Sequence, residues 1–143
     1  MTATTHTGSV LLTIGSNADN AHTRVTAACE YLRTILSDCR FSQIVTAPSY
    51  TGVGADYVNI AVIATSTHSP EALHRILRRY EDSHGRQRPT QNNSIAIDID
   101  IIRFDDTILK PEDLTHNWLI HAVSQLCRTT SDTNVEKVLT KHS

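Results

Sequence analysis

The segment Ile95-Ala96-Ile97-Asp98-Ile99-Asp100-Ile101 combines an apolar alternation with two acids. Period two puts the four isoleucines on one face of a strand and Asp98 and Asp100 on the other, about 7 Å apart along the backbone. Aspartate is depleted in strands, and two like charges this close repel. A hard divalent cation offsets that cost, since Mg²⁺ is held by one or two carboxylates plus phosphate oxygens. A solvated outer face of an antiparallel sheet is the other reading. Upstream lies Glu81-Asp82-Ser83-His84-Gly85-Arg86-Gln87-Arg88. Arg86 and Arg88 suit phosphate oxygens through their guanidinium forks, or serve the preceding helix as C-terminal cations. Residues 87–94 are polar, lack apolar anchors and suit a lid over a bound anion. A cationic loop beside paired carboxylates is what a magnesium–polyphosphate complex requires.

Two shorter stretches add to this. In Ile14-Gly15-Ser16-Asn17, a glycine at a strand end lets a ligand approach the backbone, although such turns are common between strand and helix. In Asp56-Tyr57-Val58-Asn59, Asn59 shares a strand face with Tyr57, and an inward amide reads a heterocycle edge or makes a cross-strand hydrogen bond. The eight histidines show no two-ligand helical spacing with a carboxylate. His-Glu-x-x-His, a Gly-x-Ser-x-Gly elbow and a Gly-x-x-x-x-Gly-Lys phosphate cradle are all absent.

The elements that must position these residues follow from periodicity. Residues 10–14 form a short apolar strand, and Asp19 or Asn20 caps a helix whose apolar positions are Val25, Ala28, Leu32, Ile35 and Leu36. Residues 41–47 read as a second strand, followed by a loop with Gly52 and Gly54, and 57–65 as a third. Ser69-Pro70-Glu71 starts a helix with Leu73, Ile76, Leu77 and Tyr80 inward, and Gly85 ends it. Residues 95–102 form the fourth strand, Asp105-Asp106 a turn, and 118–126 a last helix; 135–139 make a helical turn or a frayed tail. The order predicts an α+β fold, a ferredoxin-like βαββαβ sandwich with helices on one sheet face and an additional C-terminal helix.

Composition narrows the class. A net charge of −2 is a poor footprint for duplex nucleic acid, and 5% aromatic content is too low for stacking along a single strand. Cys29, Cys39 and Cys127 are odd in number with no Cys-x-x-Cys pair, which argues against a disulfide framework and a thiolate zinc site; Cys29 is expected as a buried thiol. No run approaches the ~20 apolar residues of a membrane span, and nothing at the start resembles a signal peptide. The expectation is a cytoplasmic protein with a flexible leader at 1–9, one domain at 10–127 and a polar tail at 128–143. Its oligomeric state is left open.

Together these segments resemble the 6-hydroxymethyl-7,8-dihydropterin pyrophosphokinases of folate biosynthesis. The resemblance runs from about residue 10 to 126. It rests on Ile14-Gly15-Ser16-Asn17, Ser49-Tyr50-Thr51, Asp56-Tyr57-Val58-Asn59, Ser69-Pro70-Glu71-Ala72-Leu73, Glu81 with Gly85-Arg86-Gln87-Arg88, and Ile97-Asp98-Ile99-Asp100. It implies a ferredoxin-like fold and transfer of the β,γ-pyrophosphoryl group of ATP to the pterin hydroxymethyl oxygen, releasing AMP. It also implies that Asp98 and Asp100 hold two Mg²⁺ ions and that Arg86 and Arg88 neutralise charge on the transferred group. Thr51, Tyr57 and Asn59 would line the pterin site, with Trp118 as an aromatic wall. Glu81, Ile101, Thr115 and His116 would lie near the nucleotide.

The chain departs from the family pattern in three places. Where the family carries Trp-Gly-Pro-Arg before the Asp strand, this chain has Asn92-Asn93-Ser94-Ile95 and is one residue shorter, without the stacking tryptophan and one cationic phosphate contact. The loop at Gly52-Val53-Gly54 is shortened and lacks two prolines. A contracted Leu114-Thr115-His116-Asn117-Trp118 replaces Pro-His and Arg-x-Phe, so His116 matches either the histidine or the arginine. Two alternatives follow: a homologue that binds a nucleotide or pterin-like ligand with another acceptor or no catalysis, and a ferredoxin-like interaction domain.

Overall fold

The computed structural model describes residues 7–49, 52–90 and 92–129. Its strands are β1 (Gly8–Ser16), β2 (Ser37–Phe41), β3 (Val45–Ala47), β4 (Tyr57–Ser66), β5 (Asp98–Phe104) and β6 (Thr107–Ile108). The helices are α1 (Ala21–Ile35), α2 (Pro70–Ser83) and α3 (Asn117–Thr129), with a 3₁₀ turn at Pro111–Thr115. One sheet runs β2-β4-β1-β5-β6, with β3 also on β4, and each of these pairings is antiparallel. This is the expected ferredoxin-like order with an extra C-terminal helix.

The two central strands are apolar on both faces because both are covered. Val10, Leu12 and Ile14 of β1 face α1 and α2, packing with Val25, Ala28, Leu32, Leu73 and Leu77. Ile97, Ile99 and Ile101 join the same cluster, as their alternation requires. Each such side chain contributes roughly 1.5–3 kcal/mol on full burial. Leu11, Ala61, Ile63 and Ile102 face the other way and pack on Leu119, Ala122, Val123 and Leu126 of α3. The helices therefore do not all lie on one face: α1 and α2 already cover the first, so the stripe of α3 closes the second.

Helix α2 starts as its sequence predicts, with Ser69 Oγ accepting from the Ala72 amide at 3.1 Å and Pro70 in the first turn. Asn20 precedes α1 but caps nothing; its Oδ1 accepts from Arg24 Nε at 2.9 Å. Cys29 flanks the α1 stripe and is only half-buried, with its thiol pushed up to about 11, chiefly by burial.

Several boundaries differ from expectation, three of them because of partners elsewhere in the chain. β1 begins at Gly8 because Gly8 and Ser9 pair with Ser66 and Thr65, so these two residues belong to the sheet and not to a leader. In place of the single strand expected at 41–47 there are two, β2 starting already at Ser37 and β3 covering only 45–47; between them Ser42 donates its amide to Ala61 O and accepts the Ala61 amide on its own hydroxyl, both at 2.9 Å. The side chain replaces a ladder carbonyl, and the register on β4 slips by one residue. β5 begins at Asp98 and not at 95, because the Ile95 amide donates to Asn17 Oδ1 at 2.6 Å and its carbonyl accepts from the Asn17 amide. Helix α3 extends through residues 128 and 129, which the sequence assigned to the tail. Residues 1–6 and 130–143, with the expected turn at 135–139, lie outside the described residues. No described helix is long and apolar enough to cross a membrane.

Candidate active site

The sheet register assembles the site. Gly15 of β1 pairs with Asn59 of β4 on one side and Asp98 of β5 on the other, and Thr13 pairs with Asp100. Paired residues project to the same face, so Asn59, Gly15, Asp98, Thr13 and Asp100 share one patch on the α3 side. A methyl on Gly15 would stand 2.9 Å from Asn59 Oδ1. The missing side chain leaves a floor where the backbone itself is exposed to a ligand.

Two cavities meet over this patch. The first encloses about 230 Å³; Tyr57, Asn59, Asp113, His116 and Trp118 form its walls over the Gly15 floor. The second, about 550 Å³, runs along β5 between α2 and the segment after β6, among His74, Arg75, Arg78, Glu81, Arg86 and Arg88. Asp98, Asp100 and Lys110 line both. β6 covers only Arg103 and Phe104, so the outer edge of β5 before them carries no strand among the described residues.

Electrostatics mark the junction. Asp100 is pushed up to about 7, first by burial and then by the Asp98 charge that hydrogen-bonds beside it, against the pull of Lys110. Asp100 Oδ1 lies 3.3 Å from Lys110 Nζ, and Asp98 Oδ1 accepts from Arg86 Nη1 at 3.1 Å. Arg88 pairs with Asp82 and, at 2.6 Å, with Glu81 Oε1. Glu81 itself is 2% exposed, and its Oε2 accepts the Ile99 amide at 2.6 Å. Burial raises the Glu81 carboxyl, and hydrogen bonding to that amide opposes the shift. Glu81 thus clamps α2 to β5 while holding an arginine at the second cavity. Among the described residues, the buried donors Asn59 Nδ2 and Arg86 Nε, one at each cavity, make no hydrogen bond. Unpaired buried donors are costly, and a ligand in the cavity each one borders would satisfy them.

The residues singled out from sequence divide between the cavities. Tyr57, Asn59, Trp118 and His116 line the first; Glu81, Ile101, Arg86 and Arg88 line the second. Thr115 lines neither, and its hydroxyl donates to Glu112 O at 2.7 Å. Thr51 lies outside the described residues. Ser16 and Asn17 act on the chain entering β5 instead of a ligand: Ser16 Oγ donates to Ile95 O at 3.1 Å and Asn17 Nδ2 to Asn93 O at 2.8 Å. Sequence reasoning missed Lys110, Asp113 and the α2 residues His74, Arg75 and Arg78. The last three recur at helical spacing with Glu81, a signal that was present; Lys110 carries no local signature.

The carboxylates suit a divalent cation. No described group of three or more acidic, histidine or cysteine side chains is positioned for a metal, but two neighbouring carboxylates facing an anion-sized cavity match Mg²⁺, which keeps waters and takes phosphate oxygens. A family model described as 7,8-dihydro-6-hydroxymethylpterin-pyrophosphokinase matches residues 11–129. No curated protein matches the chain.

Proposed function

Since the chain belongs to the 7,8-dihydro-6-hydroxymethylpterin-pyrophosphokinase family, we propose that it transfers the β,γ-pyrophosphoryl group of ATP to the hydroxymethyl oxygen of 6-hydroxymethyl-7,8-dihydropterin. The observation that carries this reading is the shared wall. A small cavity with a free amide donor and a larger cationic one have Asp98, Asp100 and Lys110 in common. Such an arrangement would bring an acceptor hydroxyl and a polyphosphate to the same three side chains.

The acceptor occupies the first cavity. Asn59 Nδ2 donates to a ring acceptor, while Tyr57 and Trp118 supply apolar walls. Arg86 and Arg88 meet the phosphates in the second cavity. Asp98 and Asp100 would hold two Mg²⁺ ions, which when bound neutralise phosphate charge and align the reacting oxygens. The acceptor oxygen forms its bond to the β-phosphorus as that phosphorus parts from the oxygen of AMP; AMP leaves with the electron pair and the hydroxyl proton passes to water. The work is alignment and charge neutralisation, so no dedicated base is required. A cation held by Asp98 would compete with Arg86 for that carboxylate, and the guanidinium would then be available to the phosphates.

AMP release from Mg-ATP, measured with and without the pterin, tests the assignment. Asp98→Ala is expected to abolish Mg²⁺-dependent nucleotide binding by calorimetry with the circular dichroism unchanged. An unaltered titration in that variant would remove the metal assignment. Asp113 in the acceptor wall favours a second reading, in which the acceptor is another alcohol with a donor-rich edge; AMP release with such an alcohol but not with the pterin selects it.

A further inference from the structure

We propose that Lys110 is a phosphate-contacting residue of this site, held on Asp100 while the site is empty and passing to the transferred group once divalent cations occupy the carboxylates. The inference rests on the pyrophosphoryl-transfer reading and adds to it a residue and an exchange.

The cations at the junction are not equivalent. Arg86 is 16% exposed and bonds Ile97 O at 3.2 Å as well as Asp98. Arg88 is divided between Glu81 and Asp82. Lys110 is 43% exposed, its one ion pair among the described residues is with Asp100, and it borders both cavities. Its backbone is fixed while its head is not. The amides of Leu109 and Lys110 both donate to Ile102 O, at 2.8 and 3.3 Å, which ties the root of the side chain to β5. The four-carbon stem then lets the ammonium sweep several ångströms without moving the chain.

Charge supplies the direction. An ammonium and a divalent cation cannot share Asp100 without repelling one another, so metal loading expels Lys110 from that carboxylate. Two destinations exist. Behind Lys110, in the 3₁₀ turn that it precedes, stands Asp113, whose charge also acts on the Lys110 ammonium. Asp113 is itself paired with His116 at 3.5 Å. Ahead lie the phosphates, the only strong new anion in the junction, and a lysine there acts as a mobile point charge on the group in transfer.

The test uses the full chain as wild type, Lys110→Gln and Lys110→Arg, with unfolding midpoints checked for each. Mn²⁺ alone is titrated by electron paramagnetic resonance, and the Mg²⁺ complex of a methylene-bridged ATP analogue by calorimetry. In Lys110→Gln, Mn²⁺ is expected to bind several-fold more tightly, because its competitor is gone. The same variant should bind the analogue about ten- to a hundredfold more weakly, the worth of one charge-assisted contact. Lys110→Arg should restore the analogue affinity. Tighter Mn²⁺ binding with undiminished analogue affinity makes Lys110 a mere counter-ion and overturns the proposal; weaker analogue binding with unchanged Mn²⁺ affinity overturns the exchange. A wild-type protein that does not bind the analogue overturns the transfer reading itself, and this inference with it.

Discussion

Replacing Asp100 by asparagine should stabilise the metal-free protein while destroying its metal site. The Asp100 side chain is 24% exposed and its carboxyl sits at about 7 instead of 3.8. An ionised carboxylate is thus disfavoured in the folded protein relative to the unfolded chain. The stability contributed by the neutral acid is complete below about pH 4, fades as the pH rises through the interval and is gone above about pH 7. Across that interval, at about 1.4 kcal/mol per pH unit, the ceiling is about 4 kcal/mol. Lys110 loses its partner in the variant and the new amide needs partners of its own, which leaves about 1–2 kcal/mol net. For a chain of 143 residues that amounts to about 3–8 °C in Tm. Thermal unfolding without divalent ions should show the variant melting higher at pH 8 and level with wild type at pH 4. An equal difference at both pH values, or a variant that melts lower at pH 8, would refute the reasoning, because the gain must follow ionisation of this carboxyl.

Three other outcomes follow from the same geometry. Glu81→Ala strands the buried Ile99 amide and leaves Arg88 to Asp82 alone, and should cost about 2–4 kcal/mol in urea unfolding, with Glu81→Gln losing much less. Gly15→Ala should leave the fold near its original stability yet weaken acceptor binding by about tenfold or more, since the added methyl presses on Asn59; fluorescence titration with the pterin distinguishes this from a general loss. Arg86→Ala should lower kcat more than it weakens binding of the ATP analogue, and equal losses in both would mean that the arginine only anchors the ground state.

Local patterns made most of the fold legible. The alternation at 57–65 predicts β4 to within one residue, and Ser69-Pro70-Glu71 predicts the start of α2 because cap, proline and acid all act within a single turn. What escaped depends on partners distant in sequence. Ile95 reads as a strand residue, but Asn17, 78 residues away, takes its amide. Ser42 reads as mid-strand until its hydroxyl meets Ala61. The face chosen by α3 depends on α1 and α2 having already covered the other. In the site, Asp98 and Asp100 announce themselves because acids on a strand break a local rule. Lys110 breaks none, and its importance appears only when β6 returns it to the edge of β5.

One irregularity in β5 separates two requirements that a regular strand would set against each other. Leu12 faces Ile101 and Leu11 faces Arg103, so Ile102 is an unmatched residue in the pairing with β1. Before it, odd-numbered positions meet α1 and α2; after it, Phe104 does, and Ile102 turns to α3. The strand is therefore written in two phases. The acids can keep their orientation whatever packing demands of the residues downstream, and the downstream residues can vary without turning the acids. Deleting Ile102 would merge the phases into one unbroken alternation, with the acids, Arg103 and Phe104 each on the face they hold now and only the Ile102 contact with α3 lost, so an alignment gap at this position would signal a relative with a straighter strand and the same acid pair.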